Sequence, residues 1–133
     1  MPHFSERSLQ KLETCRPELQ RLFTEVIKHF DCTILCGHRT EHEQNEAFHA
    51  GRSKLKFPES RHNSSPSGAV DVAPWPIDWN DRERFYYFAG VVKGIAARMD
   101  IPMRWGGDWD DDTRVHDQTF FDLPHFELMH KER

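Results

Sequence analysis

From residue 17 to residue 30 the apolar positions fall at Leu19, Leu22, Phe23, Val26, Ile27 and Phe30, the three- and four-residue spacing of one helix face. Pro17 suits the first position of that helix, where a missing N–H costs nothing. Ser5 predicts the cap of a shorter helix before it, ending near Cys15. The pattern then changes: Cys32 to Cys36 is a short apolar run with β-branched members, stopped by Gly37, and reads as a strand. Thr40 followed three residues later by Glu43 is a capping box, which starts a helix from about Glu41 to Ala50, closed by Gly51. Residues 51 to 68 show little periodicity and many Ser, Pro, Lys, Arg and Gly, so they form a long irregular loop, a length that tends to be functional inside a compact domain. Ala69 to Ala73 is a second strand ended by Pro74. Residues 82 to 99 form the clearest helix, with Phe85, Phe88, Ala89, Val92, Ala96 and Met99 on one stripe, and Met103 to Trp105 and Phe126 to Met129 are further strands. Together these elements predict an α+β fold of several helices packed on a small, mostly antiparallel sheet.

Composition narrows the picture. With 133 residues, 37% hydrophobic and 30% charged, the chain is expected to form one domain over 1–133. No stretch approaches the ~18 apolar residues that span a bilayer, and the opening residues lack the apolar segment of an export signal, so the expectation is a protein with no membrane anchor, made in the cytoplasm. The net charge of −4, with no long Lys/Arg run, argues against nucleic acid as a partner. Cys15, Cys32 and Cys36 are odd in number and two lie in a predicted strand, which suits free thiols in a reducing compartment. Nine histidines justify a search for metal ligands.

Three segments bring such ligands to strand ends or loops: Ser60-Arg61-His62, then Ala69 to Ala73 around Asp71, then Asp122 to Leu128 around His125. Strand alternation puts Asp71 on one face with Ala69 and Ala73, whose small side chains leave room for an ion, while Val70 and Val72 face the core. Phe126 and Leu128 take the apolar face of the last segment, so His125 projects from the opposite one. Pro124 interrupts regular pairing, and a kink there brings Asp122 to the side of His125. Two imidazoles and one carboxylate are a catalytic rather than a structural zinc set. A nearby carboxylate outside the metal's shell, here Asp122, can take and return a proton.

Ser60-Arg-His-Asn-x-x-Pro-Ser-x-Ala-Val-Asp-x-Ala-Pro74, Trp105-Gly-Gly-Asp-Trp109 and Asp122-x-Pro-His-Phe-Glu-Leu128 resemble the zinc peptidases of the D-Ala-D-Ala carboxypeptidase and L-alanyl-D-glutamate endopeptidase superfamily, peptidase family M15, and in particular its phage endolysins. The resemblance runs from Pro17 through Leu128 with the motifs in the family's order. It implies a hedgehog and D-Ala-D-Ala peptidase-like fold, Zn2+ held by His62, Asp71 and His125, Asp122 as catalytic acid/base, and Arg39 as a substrate-binding or oxyanion-stabilising residue. The long stretch between His62 and Asp71, and Asp rather than Glu at the acid/base position, favour the endolysin branch over the vancomycin-resistance carboxypeptidases.

The function expected is therefore cleavage of the L-Ala–D-Glu bond in peptidoglycan stem peptides by a monomeric endolysin that accumulates in the host cytoplasm and reaches the wall once the membrane is permeabilised. The alternatives are a D-alanyl-D-alanine carboxypeptidase or dipeptidase, and a non-catalytic cell-wall binding module. Independently of the resemblance, Arg39 follows a strand and precedes a helix, where its guanidinium can meet an anion. Two other patterns carry less weight. His38-Arg-Thr-Glu-His42 matches H-x-x-E-H, but the Thr40 cap leaves His38 outside the helix. Asp108 to Asp112 could bind calcium, yet a solvated acidic loop is the simpler reading. Trp75, Trp79, Trp105 and Trp109 flank the metal motifs and are expected chiefly in core packing.

Overall fold

The Ser5 hydroxyl accepts the Ser8 N–H and opens α1 (Glu6–Leu12). The computed structural model describes residues 2–115 and 121–129. α1 stops before the expected Cys15 because the next residues turn to join a distant loop: Cys15 bridges Ser67, and Arg16 N donates to Ser67 O at 2.9 Å. α2 (Pro17–Val26) carries its buried stripe of Leu19, Leu22, Phe23 and Val26 inward. The stripe outlasts the helix, which gives way to turns although Ile27 remains buried and Phe30 packs edge-on against Phe88 at 5.1 Å.

β1 (Cys32–Cys36) leads to α3 (Glu41–His49), whose capping box has both bonds in place: Thr40 Oγ1 accepts from Glu43 N and the Glu43 carboxylate accepts from Thr40 N. The long irregular loop contains one ordered feature that its pattern did not signal, a single 3-10 turn over Arg61–Asn63 capped by Ser60. β2 (Ala69–Pro74) follows, then α4 (Arg82–Arg98), β3 (Met103–Trp105) and β4 (His125–Leu128).

The four strands form one antiparallel sheet in the order β1-β2-β4-β3. The last strand begins one residue earlier than its apolar run suggested, because His125 pairs directly with Asp71. The register then places Phe126 opposite Val70 and Trp105, and Glu127 opposite Ala69 and Arg104. On one face Val70, Val72, Ile34, Met103, Phe126 and Leu128 join the apolar stripes of α2 and α4 in a single core. Phe126 is fully buried there, its ring edge-on to Phe23 at 5.5 Å and to Phe88 at 6.0 Å. The opposite face carries the titratable side chains. A core on one side thus fixes the strands that hold polar groups on the other, and no described helix is long and apolar enough to cross a membrane.

Candidate active site

Adjacent positions on paired antiparallel strands share a face, so the Asp71–His125 pairing alone sets a carboxylate beside an imidazole. The 3-10 turn delivers the third group. Its Ser60 cap accepts the His62 N–H, and the His62 carbonyl accepts from Arg39 N at 2.8 Å, which ties the turn to the end of β1. The result is a near-equilateral triangle of ligand atoms: His62 Nε2 to Asp71 Oδ1 3.2 Å, His62 Nε2 to His125 Nδ1 3.3 Å, and His125 Nδ1 to Asp71 Oδ1 3.2 Å. All three residues are buried. Bonds of about 2.0–2.1 Å at tetrahedral angles put neighbouring ligand atoms about 3.3 Å apart, so the spacing suits a small divalent ion such as zinc.

The outer partners fix which ring nitrogens face the triangle. His62 Nδ1 lies 2.7 Å from the Gly37 carbonyl and must donate to it, leaving Nε2 with a lone pair. His125 Nε2 donates to Glu127 Oε1 at 2.8 Å, which leaves Nδ1 free. Glu127 is held in turn by Arg61 Nε at 2.7 Å and Arg104 Nε at 3.0 Å, both on Oε2. Asp71 Oδ2 accepts from Arg39 Nη2 at 3.0 Å, so Oδ1 alone turns inward. Three lone pairs therefore converge on one point, an arrangement that repels itself unless a cation or a proton sits among them.

Without an ion the proton takes that place. Burial opposes a charged His62, but the Asp71 carboxylate beside it prevails and pushes the imidazole up to about 10. His125 is likewise raised against its burial, through hydrogen bonds to Asp71 and Glu127. Asp71 is driven well below the ordinary carboxylate range: burial opposes its charge, and His62 and His125 outweigh that. Asp122 behaves oppositely. Burial and the Asp71 charge lift its carboxyl to about 6, against the pull of His125, His62 and Arg39. Its Oδ2 lies 3.9 Å from His125 Nδ1, and its side chain remains 28% exposed, so it borders the triangle while still meeting solvent.

These groups open onto a cavity of about 420 Å³ whose lining includes Arg39, Lys54, Arg104, Trp109, Asp122 and His125. Trp109 tilts over the His125 ring at 5.3 Å.

The family model of the phage L-alanyl-D-glutamate peptidases matches residues 1–129. The chain belongs to that family. It is a phage-type peptidase of peptidoglycan that cuts the L-Ala–D-Glu link, which decides against the binding module. The fold agrees: the crystal structure of the Serratia marcescens L-Ala D-Glu endopeptidase ChiX superposes with a TM-score of 0.74 at 26% identity, covering 96% of this chain and 90% of that one. No curated protein matches the sequence.

In this peptidase Asp71, His125 and Asp122 come together on the face that strand alternation and the Pro124 kink indicated, and His62 joins them from the 3-10 turn. Arg39 reaches the same place but is engaged by Asp71 and by Gln44 Oε1 at 3.3 Å. The H-x-x-E-H pattern is not a site: His38 precedes α3, and His42 is exposed and pairs with Glu46. Asp108 is buried, and its carboxylate accepts the N–H groups of Asp112 and Thr113, which organises the acidic loop from within. Trp105 is core, whereas Trp75 and Trp79 are exposed, contrary to the packing expected of them. Cys15, Cys32 and Cys36 are free, and burial pushes the Cys15 and Cys32 thiols up to about 12.

Sequence reasoning missed Glu127, Arg61, Arg104 and the fully buried Gln44. Glu127 carried a usable signal, since it stands two residues from His125 on one strand and so on the same face. Gln44 carried none: it donates to Ser53 Oγ and the Leu55 carbonyl and accepts from Arg39 and Asn63, partners drawn from three separate segments.

Proposed function

We propose that the chain is a zinc-dependent endolysin in which His62, Asp71 and His125 hold the ion, Asp122 is the catalytic acid/base, and one chain supplies the whole cleft and acts as a monomer. The observation that carries this reading is the convergence of three ligand lone pairs at tetrahedral-edge spacing, each fixed by an outer hydrogen bond. Zinc bound there supplies Lewis acidity, activating water near neutral pH and polarising a carbonyl. The protein's own groups do the rest. Asp122, raised in pKa and open to solvent on one side, takes a proton from the attacking water and hands it to the D-Glu nitrogen as the amide breaks. Arg39 and Asp71 form a fixed pair that holds the ligand oxygen in place, and the guanidinium's charge on the cleft wall favours the negative oxygen that develops on the L-Ala carbonyl. The buried floor keeps these dipoles from relaxing toward water.

Such an enzyme accumulates in the host cytoplasm and meets the wall when the membrane is breached. The test is to digest purified peptidoglycan with zinc-loaded protein, with and without a chelator, and to identify the new termini by mass spectrometry. A chelator-sensitive amino terminus on D-Glu is expected. Release of free D-Ala would mean a D,D-carboxypeptidase instead, and cleavage undiminished by the chelator would overturn the metal assignment.

A further inference from the structure

The scissile amide nitrogen belongs to D-Glu, a dicarboxylic acid. One of its carboxyls continues the stem peptide, so the other remains free and lies within a few bonds of the reacting nitrogen. A group that recognises it must therefore stand on the wall of the catalytic cleft itself. Four basic residues line that cavity: Arg39, Lys54, Arg61 and Arg104. Arg39 is bound to Asp71 and Gln44. Arg61 is bound through Nε to Glu127 and through Nη1 to the Leu128 carbonyl at 2.8 Å.

Arg104 shares the Glu127 anchor with Arg61 but lies against the ring that covers His125. It projects from β3 directly across from Glu127, the outer partner of His125. Its Nε donates to Glu127 Oε2 at 3.0 Å and Nη1 to the Trp109 carbonyl at 3.1 Å, while its guanidinium lies over the Trp109 ring at 5.6 Å from the centroid. Trp109 in turn covers His125. The guanidinium is thus one ring away from the proposed metal ligand and clamped in plane. Among the described residues Nη2 has no acceptor, and the side chain is 35% exposed. A guanidinium anchored through Nε and Nη1 with Nη2 uncommitted can offer a carboxylate a charge-assisted hydrogen bond from a fixed position. Glu127 carries one charge against the two of Arg61 and Arg104, so the cluster keeps a net positive charge beside the cleft.

We propose that Arg104 is a specificity-determining residue that binds the free carboxylate of the substrate's D-glutamyl residue. The inference rests on the L-Ala–D-Glu reading above. It predicts that stem peptides whose glutamyl carboxyl is amidated are poorer substrates, by the value of a charge-assisted hydrogen-bonded pair, on the order of tenfold to a hundredfold in kcat/KM.

The test compares two synthetic stem peptides, one with the free glutamyl carboxylate and one with its amide, on the zinc-loaded wild type, Arg104→Gln and Arg104→Lys. Any loosening of Glu127 lowers both rates by a common factor, so the ratio between the peptides isolates the carboxylate. The expected result is a large ratio in the wild type, a ratio near one in Arg104→Gln, and an intermediate ratio in Arg104→Lys, which keeps the charge but not the fork. A wild-type ratio near one, or one unchanged in Arg104→Gln while both peptides are cut, overturns this inference and leaves the endopeptidase reading intact. A ratio flattened by Lys54→Met instead assigns the carboxylate to Lys54 and overturns it too. Cleavage of neither peptide by the wild type overturns both readings.

Discussion

Asp71 and Asp122 are the same amino acid a short distance apart, and their surroundings drive their acidities in opposite directions. Asp71 faces two imidazoles and a guanidinium that favour its charge, while Asp122 is half-buried beside that same negative charge. A permanently ionised ligand and a carboxyl that can exchange protons are what the proposed reaction requires. Asp122→Asn is expected to lower kcat by about 10²- to 10⁴-fold with metal stoichiometry unchanged, measured by turnover and elemental analysis. In the wild type, kcat/KM should fall on the acid side as Asp122 takes up its proton, with an apparent pKa near 6, above the ordinary carboxylate value, because burial and the Asp71 charge raise it. A limb well above that value would remove Asp122 from the role. Glu127→Gln leaves an acceptor for His125 but deprives two arginines of their counter-charge. Zinc affinity, measured by competition with a chromophoric chelator, should weaken about 10- to 100-fold.

Among the elements, the turn between Asp122 and His125 places the acid/base, and its seat is set by Gly106. Asp122 N donates to Gly106 O at 2.9 Å, and a methyl group on Gly106 would collide with the Asp122 carbonyl. Gly106→Ala is therefore expected to push Asp122 outward and cost on the order of a hundredfold in kcat, the usual consequence of a displacement near 1 Å. A thermal melt run alongside should show a folded protein; undiminished turnover would show that the turn is not held here. The α3 capping box makes a contrasting case. Thr40→Ala removes the acceptor for Glu43 N and should cost about 1 kcal/mol of stability, seen as a drop of a few degrees in Tm. Turnover should change little, because the cap lies outside the cleft.

For the whole molecule, the triangle couples folding to pH and to metal. The His62 pKa is raised to about 10, above the ~6.5 of an unfolded histidine, so in metal-free protein its stabilisation is complete below pH 6.5 and is lost as the pH climbs through about 10. Zinc requires the neutral ring, so its binding strengthens over the same range. The Tm of the chelated protein should fall between pH 6.5 and 10 while the difference between zinc-loaded and chelated protein grows; a difference independent of pH would contradict the coupling. How much of this was legible follows from the range of the forces involved. The main helices and strands, their core faces, and the positions of Asp71, His125 and Asp122 were legible in the chain alone, because side-chain alternation on a strand and helix periodicity are local properties. The rest depends on contacts between distant segments. The 3-10 turn that seats His62, the pairing of Arg39 with Asp71, the buried Gln44, and the Arg61–Glu127–Arg104 cluster all join segments far apart in the chain, and only the packed core and the strand register bring them within hydrogen-bonding distance.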